Sequence, residues 1–300
     1  MKPLIWGTEQ VSDKRSQGDV VVLYETTKRL EKEKRLDAIA GKVGDLVGKA
    51  VPPGPVKNAL SGTWLGHTLH PVLTDVPIGA WTSATALDLI GGTESEVAAR
   101  RLIGLGILAS LPTAMSGFSD YADTVGEERR VGLTHAAFNI AALAFFGASY
   151  GARRNGSVLK GKALSLLGMG AASVGAYLGG HLSLDMGVGV DHTAYETGPS
   201  DWKPTVLESE LENGPRKVEV DGVNIMLTRH GGRVCALSHR CTHAGGPLSE
   251  GTIEAGTVKC PWHGSVFSLE DGSVKQGPAR SPQPAYETRV IEGRIEVRSK

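Results

Sequence analysis

The sequence predicts a two-domain α plus β chain, an N-terminal four-helix transmembrane bundle followed by a C-terminal all-β domain. Three observations carry this. Long stretches of the middle third lack Asp, Glu, Lys and Arg and are rich in Ala, Gly and Leu. The charges crowd into residues 1–60 and 200–300, and beyond residue 203 the apolar pattern changes to period two. With 300 residues and 40% hydrophobic content, the chain has material for one to three units. Lys and Arg number 32, as do Asp and Glu, so no net charge draws nucleic acid and none is expected as a partner.

Residues 1–60 form a polar and amphipathic segment whose start lacks the apolar core of a secretory signal peptide. In the run 27–50, Leu30, Ile39, Val43, Leu46 and Val47 recur at helical spacing, which predicts one amphipathic helix. It either packs on its own protein or lies at a membrane surface. VPPGPV at 51–56 ends it, because clustered prolines remove donors and disfavour helical neighbours.

The bundle occupies residues 61–184, with spans at about 72–91, 102–119, 132–152 and 163–184. The last three carry no formal charge, and their 18, 21 and 22 residues match the length that crosses ~30 Å of hydrocarbon. The first contains Asp75 and Asp88, both expected near its ends. The alternative is a soluble bundle, but long uncharged segments are hard to keep amphipathic in water. Ala171, Gly175 and Gly179 recur every four residues, a small-residue stripe that lets helices approach closely in lipid.

Loop charges do not orient the bundle: Arg100, Arg101, Arg153, Arg154, Lys160 and Lys162 lie on one side, Lys57, Arg129 and Arg130 on the other. Three cysteines, two of them in a candidate metal site, leave no pair for a structural disulfide. That favours a reducing compartment. The expectation is a multi-pass cell-membrane protein in contact with lipid, with the N-terminus and the β domain in the cytoplasm.

A linker at 185–202 leads to the β domain at 203–300. There Val218 and Val220 alternate with charged residues, and Asp221-Gly222, Gly231-Gly232, Asp271-Gly272 and Glu292-Gly293 signal turns. Within it stands Cys241-x-His243, then sixteen residues, then Cys260-x-x-His263. Two thiolates and two imidazoles suit either an asymmetric two-iron cluster or a tetrahedral zinc ion, although zinc sites more usually open with a C-x-x-C pair. Cys235 reads as a buried strand thiol, and His230 and His239 as ordinary turn or surface histidines.

The two stretches, with Gly245-Gly246-Pro247-Leu248, His263-Gly264-Ser265 and Gly277-Pro278-Ala279, closely resemble the Rieske family over about residues 203–300. The resemblance implies a [2Fe-2S] cluster with Cys241 and Cys260 on one iron and His243 and His263 on the other. It also implies that Ser265 and Pro278 support the cluster from behind its ligands, Pro278 in the loop that covers it. The cysteines that form a disulfide in cytochrome bc-type members are replaced by Gly246 and Trp262, so the likeness is to the ferredoxin-type branch. Phe267 stands where those proteins carry a tyrosine. Losing a hydrogen bond to sulfur lowers the expected potential, placing it in the lower half of a range of roughly −150 to +300 mV. Only 37 residues follow His263, none of them His, so no oxygenase site is expected in this chain.

His70-Pro71, SGFSD at 116–120, GLTHAAFN at 132–139 and GGHLSL at 179–184 resemble an uncharacterised four-helix membrane family, domain of unknown function 2231. That family implies a fold and no reaction. In a four-span bundle His67, His70, Asp120, His135, Asn139 and His181 share one membrane face, from which the β domain also departs. His70, His135 and His181 are therefore a candidate site for haem b, a metal ion or a quinone, unless they are interfacial histidines bonded to backbone and water. His192 in the linker is expected to face solvent. The expected function is a membrane-anchored carrier of single electrons, exchanging with a redox protein, a quinone, or an oxygenase or reductase partner. The alternative is a non-redox sensor or structural module tethered to the membrane.

Overall fold

The computed structural model describes residues 21–300, so expectations for the first twenty residues lie outside the described residues. Seven α-helices precede ten strands: α1 Val21–Glu31, α2 Asp37–Ala50, α3 Pro55–Ser61, α4 Leu69–Ile90, α5 Glu96–Tyr121, α6 Gly126–Arg154 and α7 Val158–Leu184.

The expected helix over 27–50 is broken in two. A short 3-10 turn at Lys34–Leu36 separates α1 from α2, and the Glu33 side chain accepts a hydrogen bond from the Arg35 N–H to start it. The break lets Arg130 of α6 reach both the Asp37 carboxylate, at 2.6 Å, and the Glu31 carbonyl. A tertiary ion pair thus overrides a run of good helix formers. Ile39 and Leu46, on α2, remain exposed.

Helices α4 to α7 form the bundle. Among the described residues, three segments are long and apolar enough to cross a membrane: Thr93–Tyr121, Gly126–Arg154 and Val158–Leu184. The fourth expected span, α4, is a helix but is not among them. Its exposed Asp75 lies between Val72 and Val76 on the outer surface, and Thr74, Thr82, Ser83 and Thr85 dilute its apolar content. Asp88 is buried and paired with Arg153, at 2.5 Å.

The bundle buries serine hydroxyls beside its apolar clusters and exposes long apolar side chains on its outer surface. Ser116, Ser119, Ser149 and Ser165 are buried, while Leu105, Leu108, Leu111, Met115, Leu166 and Leu167 are exposed. Trp81 stacks on Phe146 at 4.4 Å. Trp81 also crosses Gly106, where any Cβ would meet its ring at 2.3 Å. Gly175 and Gly179 make room in the same way for Asn139 and His135.

Several cations counted above as loop charges are not free. Lys57, Arg130 and Arg153 are buried in ion pairs with Asp123, Asp37 and Asp88. They therefore say little about orientation, because the positive-inside tendency concerns cations exposed in loops.

The β domain contains two antiparallel sheets. The larger is ordered β1-β10-β9-β4-β3-β2, from β1 Lys203–Leu207, β2 Arg216–Val220, β3 Val223–His230, β4 Arg233–Ser238, β9 Ala285–Ile291 and β10 Arg294–Ser299. The smaller is β5-β6-β7-β8, from β5 Thr252–Glu254, β6 Thr257–Lys259, β7 Val266–Ser268 and β8 Val274–Gln276. Met226, Leu237, Leu248, Val258, Phe267 and Leu269 pack into one core with Cys241 and Cys260 at its edge.

Candidate metal centre

Two loops of the same construction carry the four candidate ligands. In the first, after β4, the Cys241 N–H donates to the Gly246 carbonyl at 2.9 Å and the Gly245 N–H returns to the Cys241 carbonyl at 2.8 Å. In the second, after β6, the Cys260 N–H donates to the Ser265 carbonyl at 2.8 Å and the Gly264 N–H returns to the Cys260 carbonyl at 3.2 Å. Each return bond needs a residue in the left-handed region four positions after the cysteine. Gly245 and Gly264, both at φ 75°, provide it without a Cβ clash.

The tight turns aim backbone N–H groups at sulfur: those of His243 and Ala244 towards Cys241, and those of Trp262 and His263 towards Cys260. Both cysteines are buried and free of disulfides. A hydrogen bond between them pushes the Cys241 thiol above its ordinary range and holds Cys260 below its own. Gly246 leaves open a space that a Cβ would fill, 2.8 Å from Cys260 Sγ. The His243 and His263 rings stand 5.0 Å apart and perpendicular, and burial holds both below the ordinary imidazole range, favouring the neutral form that binds metal. Two buried thiols, two neutral imidazoles and a Cβ-free gap between the loops fit a two-iron, two-sulfur group.

The surrounding residues lock the loops. Ser265 is fully buried, and its Oγ accepts the Ala279 N–H at 2.9 Å, which ties the loop containing Pro278 to the second cysteine loop. Gln283 is 1% exposed and holds the first. Its Nε2 donates to the Ser238 and Arg240 carbonyls at 2.9 and 2.6 Å, and its Oε1 accepts the Thr242 N–H at 3.1 Å. His192 does not face solvent freely. It is half-buried under the first loop, donating its N–H to the Thr242 carbonyl at 3.1 Å.

The β domain meets the bundle at this site. Arg280 Nη2 pairs with Asp120 at the end of α5, at 2.6 Å, and its Nε donates to the Ser61 carbonyl at 2.7 Å. The Gly277 N–H donates to Asn58 Oδ1 at 3.0 Å, and Thr63 Oγ1 to the Ala279 carbonyl at 3.2 Å. Asp123, in the turn between α5 and α6, approaches His243 Nε2 at 3.5 Å and Lys57 Nζ at 2.9 Å. A cleft of about 490 Å³ opens beside it, between Pro53 and Lys57 on one side and Cys260, Trp262 and His263 on the other. The sequence offers Asp120 only as a residue of the shared membrane face and Lys57 only as a loop cation, and it gives no sign of Gln283, Arg280 or Asp123. Each acts through a contact far along the chain that no local pattern records.

Of the three membrane histidines, the structure brings two together. His70 Nδ1 bonds the Thr113 carbonyl at 2.9 Å, His135 Nδ1 bonds the Gly175 carbonyl at 2.8 Å, and the rings lie 6.2 Å apart at 82°. Asn139 Nδ2 approaches His135 Nε2 at 3.1 Å. His181 belongs elsewhere: its Nε2 meets Glu31 at 2.7 Å and Asp185 at 3.5 Å. These three residues are close enough together to hold a cation, and Lys28 Nζ already stands between the carboxylates at 3.0 and 2.7 Å. His67 is exposed on the loop before α4.

Residues 201–287 match the family model described as Rieske [2Fe-2S] domain, and residues 66–192 match that described as Predicted membrane protein (DUF2231). The anthranilate 1,2-dioxygenase ferredoxin subunit of Burkholderia cepacia is 30% identical over 99 residues, which are 33% of this chain and 92% of that protein. The 3-phenylpropionate/cinnamic acid dioxygenase ferredoxin subunit of Photorhabdus laumondii is 36% identical over 92 residues, 30% of this chain and 87% of that one. Apoptosis-inducing factor 3 of Homo sapiens is 33% identical over 91 residues, 30% of this chain, and the match spans only 15% of that longer protein.

Proposed function

Because the chain belongs to the Rieske [2Fe-2S] family through residues 201–287, we propose that Cys241 and Cys260 hold one iron of a two-iron, two-sulfur cluster and His243 and His263 the other. The single observation that carries this is the convergence of two buried, N–H-supported thiols and two perpendicular neutral imidazoles from two matched loops. The bound cluster supplies a one-electron redox centre. The chain's own residues hold and shield it. Backbone N–H groups stabilise both thiolates, and Ser265 and the Pro278 loop close one side. The core around Leu248 and Phe267 keeps water from the sulfurs.

We further propose that α4 crosses the membrane with α5, α6 and α7, its buried Asp88 neutralised by Arg153. The electron-carrying domain is then held at the face where α4 and α6 begin, with its cytoplasmic side as expected from the unpaired cysteines. Exposed Ile39, Leu46, Val56 and Trp64 support contact of α2, α3 and the loop after α3 with the lipid surface. The bundle covers the histidine edge of the site, so exposed Trp262 beside Cys260 is the side left for an oxygenase or reductase partner. The relatives named as dioxygenase ferredoxin subunits favour that class.

A second redox group in the bundle belongs to the same proposal, carried by His70 and His135 without His181. These two rings, 6.2 Å apart, would hold a haem b iron or hydrogen-bond a quinone and would supply a second redox centre within the bundle.

One experiment tests these readings: oxidised and reduced spectra of the detergent-purified protein, with iron, zinc, acid-labile sulfide and haem quantified. Two irons and two sulfides per chain, titrating in the lower half of the roughly −150 to +300 mV range, are expected from the cluster. A third iron with a haem spectrum is expected from the histidine pair. Zinc in place of iron sinks the electron-carrier reading and leaves a structural module. Two irons without haem remove the haem alone.

A further inference from the structure

The membrane domain does more than hold the cluster domain; it touches the metal-binding side chains themselves. Asp123 Oδ2 points at His243 Nε2 at 3.5 Å, and the Asp123 backbone is within hydrogen-bonding reach of the His263 ring. One residue of the bundle therefore contacts both imidazoles. Lys57 of α3 stands behind it, its ammonium 2.9 Å from the same Oδ2, 3% exposed and also donating to the Ser119 carbonyl. Asp123 Oδ2 is buried, and no neighbour meets it with good hydrogen-bond geometry, so its negative charge is answered through space by Lys57.

This arrangement has two physical consequences. With Nε2 of His243 directed at the carboxylate, Nδ1 is the nitrogen left to bind iron, and the ring's orientation is fixed from outside its own domain. A carboxylate 3.5 Å from the His243 ring, paired with an ammonium that is 3% exposed, also acts on the charge of the iron the imidazoles would bind with less screening than at an open surface.

We propose that Asp123 and Lys57 are positioning residues of the iron–sulfur site supplied by the membrane domain. They orient the histidine ligands and set the reduction potential as an opposed pair of charges. The carboxylate disfavours the extra electron of the reduced state, and the ammonium favours it. The bundle thereby tunes the carrier to which it is fused. This inference rests on the assignment of His243 and His263 as ligands.

The test is the midpoint potential of the full-length, detergent-purified protein, followed by electron paramagnetic resonance, for Asp123→Asn, Lys57→Met and the double variant. Asp45→Asn is the control, removing a carboxylate of α2 that is well exposed and 4.0 Å from Arg129. Iron and sulfide are counted in every sample. The expected result is a higher potential for Asp123→Asn, a lower one for Lys57→Met, a return towards the unaltered value in the double variant, and no shift for Asp45→Asn. A purely structural role would not give shifts of opposite sign that cancel. If Asp123→Asn fails to load iron, Lys57→Met still reads the sign, and a rise or no change overturns the proposal. Unchanged potentials in loaded variants overturn it while leaving the cluster intact. An unaltered protein without iron overturns the ligand assignment first, and this proposal with it.

Discussion

Replacing Arg280 by Met removes the ionic clasp between the two domains while keeping most of the side chain's volume. The guanidinium makes two charge-assisted bonds across the junction, to Asp120 at 2.6 Å and to the Ser61 carbonyl at 2.7 Å. The two side chains are only 6% and 13% exposed, so water screens the pair weakly. Removing one partner of such a pair leaves the other charge buried, a loss of about 3–5 kcal/mol. At 1.4 kcal/mol per tenfold, the docked state loses about two to three and a half powers of ten relative to the undocked one. The amide of Gly277 reports this directly, because its N–H is held by Asn58 across the same junction at 3.0 Å. Hydrogen exchange at Gly277 is expected to accelerate by up to that factor in Arg280→Met. Amides of β3 and β4, paired within the β domain, are expected to keep their protection. Unchanged exchange at Gly277 would refute the claim that this ion pair holds the domains together. An equal rise across β3 and β4 would show instead that the substitution unfolds the β domain.

Two further substitutions probe the site from within. Gln283→Leu removes three hydrogen bonds that hold the first cysteine loop; at about 1 kcal/mol each, the β domain should lose roughly 3 kcal/mol in denaturant unfolding and release iron faster. Undiminished stability would mean that the loop does not depend on this side chain. Gly246→Ala puts a Cβ 2.8 Å from Cys260 Sγ, and the bound iron per chain should fall while far-UV circular dichroism is retained. The control Gly147→Ala has nothing within 4 Å and should load fully; equal loading of both variants would contradict the tight approach of the two loops.

Much of the site was legible because it is local. The cysteines, the histidines and the glycine four residues after each cysteine lie within single turns, and a turn that requires φ 75° leaves its mark in the sequence as Gly245 and Gly264. The apolar lengths of α5, α6 and α7 were legible for a similar reason, since crossing hydrocarbon constrains composition over a continuous stretch. The break between α1 and α2 was not, because good helix formers run through it and only the distant Arg130 selects it. Nor was the sorting of the histidines. His70, His135 and His181 share one end of the bundle, but which rings meet depends on the rotation of each helix, and this turns His181 towards Glu31 of α1.

Ligand spacing, turn glycines and uncharged runs are properties of contiguous residues, so a β domain with a two-cysteine, two-histidine donor set behind a long apolar helical region can be read from the chain alone. That the two parts meet at this site is visible only once the chain is folded. Asp120 and Arg280 are 160 positions apart, and Asp123 meets His243 from another domain. Such pairings follow from how two folded surfaces fit, where burial brings ordinary charges such as Lys57 and Asp123 beside His243.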